Sequence, residues 1–106
     1  MVSLKEFQQL ELRVAEVLEV KPHPNADRLY VVNIKVGEEH KQIVAGIRTH
    51  YSESELIGKK VVIVNNLEPA TIRGVESQGM LLAANDGEKL VVLTLDREIA
   101  SGAQVR

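Results

Sequence analysis

The chain has 106 residues, a formal net charge of −2 and no cysteine. This length suits one domain. The lack of cysteine excludes a disulfide framework, a thiolate nucleophile and a cysteine-ligated metal. The sequence shows neither a secretory signal pattern nor an apolar run near the roughly 20 residues of a membrane span. These features predict a single cytoplasmic domain with no membrane partner.

The mild negative charge argues against a nucleic-acid partner, because domains that bind nucleic acids are usually basic. The charge is unevenly distributed, however. Residues 40–75 hold five basic and three acidic residues, whereas residues 81–106 hold three basic and four acidic ones. Two interpretations stay open at this point: a basic face contributed by the middle of the chain, or charges scattered for solubility.

The N-terminal region begins with a helix signal. Ser3 followed by Glu6 has the spacing of a capping box and predicts a short helix over about 4–10. Residues 12–20 predict a strand in which the apolar parity switches midway, which is typical of a bulge or sharp bend. The prolines and turn-forming residues of 22–27 predict a loop.

The rest of the chain is rich in strand patterns. Alternating apolar residues predict strands over 29–36 and 42–47. Ser52 and Glu55 form a second capping-box pattern, which predicts a helix of one to two turns that ends at Gly58. The remaining predicted strands are 60–64, 71–84 and 90–95.

The order of these elements predicts an all-β OB-fold. This fold is a five-stranded Greek-key barrel with a short helix between strands 3 and 4, and the sixth strand would be a C-terminal extension. OB-folds bind oligonucleotides or oligosaccharides on one face, flanked by two loops. Here these loops would be 21–28 and 65–71. The pattern alone leaves a different small barrel open.

The motifs of the chain do not support catalysis. Gly74 and Gly79 have the spacing of a phosphate loop, but no lysine follows. Ser77 is not in the G-x-S-x-G context of a nucleophile elbow. No ligand spacing relates the three histidines, so no metal site is expected. The sequence therefore predicts no enzyme, no catalytic residue and no cofactor.

The stretch 71–84 favours binding instead. Arg73, Ser77 and Gln78 carry groups that hydrogen-bond to phosphate, sugar or a base edge, and Met80 can pack on a base. The alternative is that Met80 belongs to the core and Arg73 is a solvated rim. Aromatic residues are scarce, whereas proteins that bind single strands usually use several stacking platforms. A folded RNA, read by its shape and backbone, suits this chain better.

Four segments carry a resemblance to a known family. They are H-P-N-A-D-R-L-Y (23–30), Q-I-V-A-G-I-R (42–48), G-K-K-V-V-I-V-N-N-L-E-P-A-T-I-R-G-V-E-S-Q-G-M-L-L-A-A (58–84) and L-T-L-D-R-E-I (93–99). In this order they closely resemble the tRNA-binding domain found at the C-terminus of methionyl-tRNA synthetases, in free-standing tRNA-binding proteins and in endothelial-monocyte-activating polypeptide II. The resemblance extends from about Phe7 to Val105.

The resemblance implies one OB-fold domain over 1–106 that binds tRNA without sequence-specific base readout. It also implies that the terminal segments form a homodimer interface. The chain would be a separate tRNA-binding subunit of methionyl-tRNA synthetase, with the catalytic chain as a partner, or a free-standing protein that supports aminoacylation. An alternative from another branch of the same family is a small dimeric export chaperone that binds unfolded peptides.

Site residues can be carried over by position. The resemblance places on the tRNA-binding face Asn25, Arg73, Ser77 and Met80. Charge and placement add Lys35, Arg48, Lys60 and Gln78. Two neighbours of Asn25 could serve binding or loop scaffolding, namely His23 and Arg28. Thr71 stands where a lysine or arginine is common in the family, which lowers the expected strength of tRNA binding.

Overall fold

The computed structural model describes all 106 residues as two short helices and ten strands. The helices are α1 (Leu4–Phe7) and α2 (Glu53–Leu56). The strands are β1 (Leu12–Pro22), β2 (Tyr30–Val36), β3 (Glu39–Ala45), β4 (Lys60–Val64), β5 (Ala70–Ile72), β6 (Val75–Ser77), β7 (Met80–Leu81), β8 (Ala83–Asn85), β9 (Leu90–Val92) and β10 (Gln104–Val105). Neither helix is long and apolar enough to cross a membrane.

The main sheet is built around β1, the longest strand. Its first half pairs with β4 and its second half with β2, so that the antiparallel order is β3-β2-β1-β4-β7. The sheet curls until β6 and β7 contact β3 at the opposite edge. This arrangement confirms the predicted all-β, OB-type barrel, with the short helix α2 between the third and fourth strands.

The predicted irregularity in β1 is confirmed. The register between β1 and β2 shifts between Val17 and Glu19, as a bulge requires. The bulge explains why Val17 and Val20, which have opposite parity in the strand, both belong to the same core cluster. By bending there, one strand belongs to both halves of the barrel.

The core follows the sequence pattern. The four alternating apolar residues of β2, from Tyr30 to Val36, are all buried. Ile43 and Ala45 of β3 face them, and Ile47 extends the same face beyond the strand. Leu56 of α2 is fully buried in this cluster, so the short helix seals the barrel interior. These assignments confirm the predicted core faces of both strands.

Both helix starts use their serine–glutamate pair. The Ser3 hydroxyl accepts from the Glu6 N–H, and the Glu6 carboxylate accepts from the Ser3 N–H, each at 3.1 Å. At α2, the Glu55 carboxylate accepts from the N–H of Ser52 at 2.8 Å and from its hydroxyl at 3.0 Å. Helix α1 ends earlier than the predicted 4–10, because residues 8–11 turn the chain into β1.

The prediction of one continuous strand over 71–84 is wrong. The segment contains β5, β6, β7 and the start of β8, and β5 and β6 form a hairpin of their own. Arg73 and Gly74 at its tip both have positive φ, 53° and 90°, which is the geometry of a tight two-residue hairpin turn. Other strand bounds also differ: the third strand is 39–45 rather than 42–47, and β9 is 90–92 rather than 90–95. The first two strands differ from their predicted bounds by one or two residues at one end.

The C-terminal segment extends the barrel where β2 ends. Strand β10 pairs with the start of β1, with Leu12 opposite Val105. Just before it, the Gly102 N–H donates to the Val14 carbonyl at 2.7 Å. Gly102 lies directly against Gly37: a Cβ at Gly102 would be 2.8 Å from the Gly37 Cα. The predicted C-terminal extension is confirmed, and it depends on this close approach of two backbones.

We predict that Gly102→Ala destabilises the chain more than Gly87→Ala does. Both glycines have positive φ, 89° and 95°, so each alanine carries a similar backbone strain of about 1 kcal/mol. Only at position 102 does the new Cβ also collide with backbone, since nothing lies within 4 Å of a Cβ at Gly87. Urea unfolding should show an additional loss of ~1 kcal/mol or more for Gly102→Ala. Equal losses for the two variants would contradict this packing.

Candidate nucleic-acid interface

A buried histidine joins the first loop, 23–29, to the β5–β6 hairpin. His23 is only 3% exposed, and its Nε2 lies 2.9 Å from the Ile72 carbonyl oxygen. The Asn25 N–H donates to its Nδ1 at 3.0 Å. One neutral tautomer satisfies both contacts, with Nε2–H as the donor and Nδ1 as the acceptor. His23 therefore acts as scaffolding that fixes the loop against the hairpin.

Asn25 and Arg73 meet at the tip of this hairpin. The Asn25 Nδ2 donates to the Arg73 carbonyl at 3.3 Å, while the Arg73 side chain is exposed. Arg73 is the one non-glycine residue of the chain with positive φ. Such a backbone conformation costs about 1 kcal/mol for an L-residue, and it persists only where the surroundings enforce it. The bonds from His23 and Asn25 supply that constraint.

Arg48 supports the same loop from the side of β3. Its Nη1 donates to the Ala26 carbonyl at 3.2 Å, and its backbone N–H donates to the Arg28 carbonyl at 3.4 Å. The side chain is partly exposed. Because a guanidinium has five N–H donors, most of them remain available after the bond to Ala26.

A pocket of about 360 Å³ opens between the loop and the hairpin. We call it the loop pocket, and its lining residues are Ala26, Asp27, Arg28, Leu29 and Arg73. The four ion pairs of the chain involve other basic residues, namely Arg13, Lys21, Lys60 and Arg97. The guanidiniums of Arg28, Arg48 and Arg73 therefore have no carboxylate partner. Two of them, Arg28 and Arg73, line the loop pocket, where exposed cations attract an anion such as a phosphate group.

Ser77 and Gln78 lie beside the open edge of β3. Ser77 is 4% exposed, and its hydroxyl accepts from the Val44 N–H at 2.9 Å and donates to the Gly79 carbonyl at 3.1 Å. The Gln78 Oε1 accepts from the Gln42 N–H at 2.9 Å. The two side chains thus provide acceptors for an unpaired strand edge. Contact with RNA, expected from the resemblance for Ser77 and from placement for Gln78, stays a prediction.

The remaining predicted site residues lie at different distances from the loop pocket. Met80 is 48% exposed at the start of β7, two positions after Gln78. Lys35 and Lys60 both pair with Glu16 of β1, which lies six positions before β1 ends at Pro22 and the loop begins. The Lys60 Nζ donates to the Ile99 carbonyl at 2.7 Å, so this lysine fastens the C-terminal segment.

The structure thus divides the predicted set into three groups. Asn25, Arg48 and Arg73 meet at the loop pocket. Ser77, Gln78 and Met80 continue from it along the edge of β3. The two lysines, Lys35 and Lys60, are separate from both groups.

Polar residues at the base of the second loop were not recognised from the sequence. The Lys41 Nζ donates to the carbonyl and the side-chain oxygen of Asn65, at 3.0 and 2.8 Å. The Asn65 Nδ2 in turn donates to the Glu11 carboxylate at 2.9 Å. This bond, together with the Arg13 guanidinium, holds the pKa of the Glu11 carboxyl below its usual value. The sole sequence signal was the pair of asparagines that opens a predicted loop.

Comparison with known proteins agrees with this arrangement. A family model described as "Putative tRNA binding domain" matches residues 12–104. The match covers most of the chain and all of the elements that form the loop pocket. The chain belongs to this family of tRNA-binding domains, which confirms the resemblance seen in the sequence.

Individual relatives point in the same direction. The methionine–tRNA ligase of Thermococcus kodakarensis is 55% identical over 105 residues, which are 99% of this chain and 14% of that enzyme. A methionyl-tRNA-synthetase-related protein from Pyrococcus horikoshii has the same fold, with a TM-score of 0.93, 32% identity and coverage of 100% of this chain and 98% of that one. The CsaA chaperone protein from Picrophilus torridus also has a TM-score of 0.93, with 29% identity and full coverage of both chains. The chain spans about 14% of the length of the curated ligases that it matches.

We predict that Ser77→Ala destabilises the chain by about 1–3 kcal/mol, because it leaves the buried Val44 N–H without an acceptor. Ser54→Ala is the matched control, since Ser54 is exposed in α2 and its change should stay within about 0.5 kcal/mol. Urea unfolding of both variants measures the difference. If both variants were equally stable, the Ser77 hydroxyl would have no part in closing the barrel.

Proposed function

We propose that the chain binds folded tRNA, by structure and without discriminating tRNA sequences. The observation that carries the proposal is the exposed Arg73 at the tip of the β5–β6 hairpin, where its backbone is strained and its guanidinium has no carboxylate partner. Strain of this kind is found at functional sites, where the side chain matters more than the conformational cost. In the tRNA-binding family, a phosphate is the natural partner of such an arginine.

The neighbouring residues extend this proposed contact surface. Arg28 and Arg48 add positive charge, and Asn25 offers an exposed amide beside the tip. Met80 and the exposed atoms of Gln78 lie further along the edge of β3. Ser77 would act by positioning this edge, because its hydroxyl is already bonded inside the protein. Lys35 would contact only a phosphate far from the loop pocket. Lys60 would contact RNA only after its hydrogen bond to the Ile99 carbonyl is broken.

The scarcity of aromatic residues favours a folded RNA. The chain has one phenylalanine, two tyrosines and no tryptophan. Tyr30 is buried, and its hydroxyl donates to the Tyr51 carbonyl at 2.6 Å, so this ring offers no stacking platform. Contacts to phosphates and sugars position a protein on RNA without reading its sequence. Such contacts recognise the shape of a folded tRNA.

We further propose that the chain serves methionyl-tRNA synthesis in the cytoplasm without catalysing it. The curated relatives are complete ligases about seven times longer than this chain, and the chain matches a small part of them. As a subunit, an appended domain or a free-standing protein, it would raise the effective concentration of tRNA near a catalytic chain. The reaction and any cofactor would belong to that catalytic chain.

A homodimer is the second part of this proposal. Large apolar side chains are exposed at both ends of the chain, including Leu4, Phe7 and Leu10 before β1 and Val91, Leu93 and Ile99 after β8. Exposed apolar groups in such numbers favour a protein–protein interface. Two RNA-binding surfaces in one particle would also add avidity for tRNA.

The decisive experiment is a salt titration of binding to folded tRNA, beside an unstructured RNA of equal length. The proposal expects tighter binding to the tRNA, with both affinities falling steeply as salt rises. Each neutralised phosphate should contribute a slope of roughly −0.7 to −0.9 in log K against log salt. Equal affinity for the two RNAs would mean a generic basic surface and would refute the structure-dependent part.

An export chaperone that binds unfolded peptide is the alternative function. It is favoured by the similarity to the CsaA chaperone protein and by the exposed apolar side chains. Capture of an unfolded peptide by apolar contacts should survive high salt, whereas phosphate binding should not. Peptide capture without any tRNA binding would favour this alternative.

We predict that Arg73→Ala and Arg73→Asn weaken binding of all tRNAs alike and reduce the salt slope by about one unit, as the loss of one phosphate contact should. The two variants should differ in their free energy of unfolding. Asparagine tolerates positive φ better than arginine, so Arg73→Asn should keep or raise the stability by up to about 1 kcal/mol. Binding assays and urea unfolding on both variants separate the two effects. Loss of affinity for a single tRNA species would contradict the proposal.

We also predict that the chain sediments as a dimer at micromolar concentration. Phe7→Asp should shift it towards the 11.7 kDa monomer, because a charge in an apolar interface is costly. Leu67→Asp is the control: Leu67 is equally exposed but lies in the loop between β4 and β5. Sedimentation of the unaltered chain as a single 11.7 kDa species would refute the dimer.

A further inference from the structure

The loop pocket contains one acid that a simple phosphate site does not need. Asp27 lines the pocket together with Arg28 and Arg73, yet its exposed carboxylate pairs with neither of them. It also accepts no hydrogen bond from the loop around it, where the short contacts are made by His23, Asn25 and Arg48. A free carboxylate beside two guanidiniums weakens their attraction for phosphate. The oxygens of Asp27 are therefore available to a ligand group that donates hydrogen bonds.

The pocket has the size and rigidity for such a ligand. Its volume of about 360 Å³ lies within the range of small-ligand pockets, which begins at roughly 300 Å³. Ala26 and Leu29 provide an apolar wall, and guanidinium planes such as that of Arg73 stack well on bases. The bonds made by His23, Asn25 and Arg48 hold both sides of the pocket in place. Pre-organisation of this kind lowers the ordering cost of binding.

The donor pattern of the RNA bases selects one of them. A carboxylate has two oxygens and accepts two parallel hydrogen bonds. On its Watson–Crick edge, guanine alone presents two adjacent donors, the ring N1–H and the amino group at N2. Adenine and cytosine present one amino donor beside a ring acceptor, and uracil presents one N–H between two carbonyls. In those three cases an acceptor would face the carboxylate.

We propose that the loop pocket takes one unpaired guanosine of the bound RNA. The Asp27 carboxylate accepts from the Watson–Crick edge, and Arg28 and Arg73 contact the adjoining phosphate. The inference rests on the proposed tRNA-binding function and deepens it. If different tRNAs share a guanosine at this place, the contact binds them all equally, which agrees with binding that does not discriminate tRNA sequences. The same chemistry admits a free guanine nucleotide, so the test includes both sources.

The first arm of the test compares Asp27→Asn with Glu38→Gln in tRNA binding. Each variant removes one exposed negative charge, and Glu38 lies in the turn after β2, roughly 20 Å along the strand from the pocket. If charge alone mattered, both variants would bind tRNA slightly more tightly. The proposal expects Asp27→Asn to bind at least about tenfold more weakly, the effect of losing a hydrogen bond to a charged acceptor, while Glu38→Gln does not weaken. Unchanged or tighter binding by Asp27→Asn overturns the proposal.

The second arm uses free mononucleotides and does not depend on tRNA binding. The chain is titrated with GMP and with IMP, which lacks the amino group at N2, and backbone amides are followed by NMR. GMP should shift the amides of residues 26–29 and 73–74 and bind about fivefold more tightly than IMP, and Asp27→Asn should abolish that preference. Equal affinities for GMP and IMP overturn the guanine assignment.

The two arms together separate the possible failures. In one outcome, the chain prefers GMP over IMP but Asp27→Asn binds tRNA as tightly as the unaltered chain. This result would overturn the proposal that the guanosine belongs to the bound RNA, and it would favour a free guanine nucleotide as the ligand. If the unaltered chain binds no tRNA at any salt concentration, the proposed function fails. In that case the GMP and IMP titrations still decide whether the pocket selects guanine.

Discussion

The barrel closes because side chains supply the acceptors that the edge of β3 lacks. The N–H groups of Gln42 and Val44 have no strand partner, and an unpaired buried N–H is costly. The Gln78 amide oxygen and the Ser77 hydroxyl accept from them at 2.9 Å each. Since Ser77 is the last residue of β6 and Gln78 follows it directly, closing the barrel also fixes the place of the β5–β6 hairpin. The position of Arg73 depends on this closure.

A second set of bonds transmits that placement to the first loop. His23 joins the loop to Ile72, and Asn25 joins it to Arg73. Arg48 donates a hydrogen bond to the Ala26 carbonyl within the loop. Each bond links residues that are more than twenty positions apart in the chain. As a result, the loop pocket is part of one bonded framework rather than a gap between two independent loops. A ligand that binds there should need little rearrangement of the protein.

The fold was predictable wherever its cause was local. Apolar alternation from Tyr30 to Val36 and the Ser3–Glu6 pair act within a few residues, and both gave the observed elements. The hairpin inside 71–84 was missed because its turn is formed by Arg73 and Gly74 rather than by the usual asparagine–glycine pair.

The proximity of some candidate site residues was predictable from the sequence, but their contacts were not. Asn25, Arg48 and Arg73 do meet, in the loops that an OB-fold uses for binding. The bond from Ser77 to Val44 and the bond from Lys60 to Ile99 span 33 and 39 positions. Charge and residue type cannot reveal such partners, because they are set only when the barrel is assembled. The same holds for Asp27, because the sequence does not show that its carboxylate lines one pocket with Arg28 and Arg73.

The pairing of β1 with β10 has a mechanical consequence. The barrel begins at Leu12 and ends at Val105, and these two residues are paired. The loop pocket comes after Pro22, at the other end of the eleven-residue β1. That strand provides roughly 30 Å of path at the usual rise per residue. A body joined to the barrel next to Leu12 or Val105 would be separated from the loop pocket by the length of this one bent strand. The domain would then act as a rigid spacer, and its length would be set by a single strand rather than by a flexible linker.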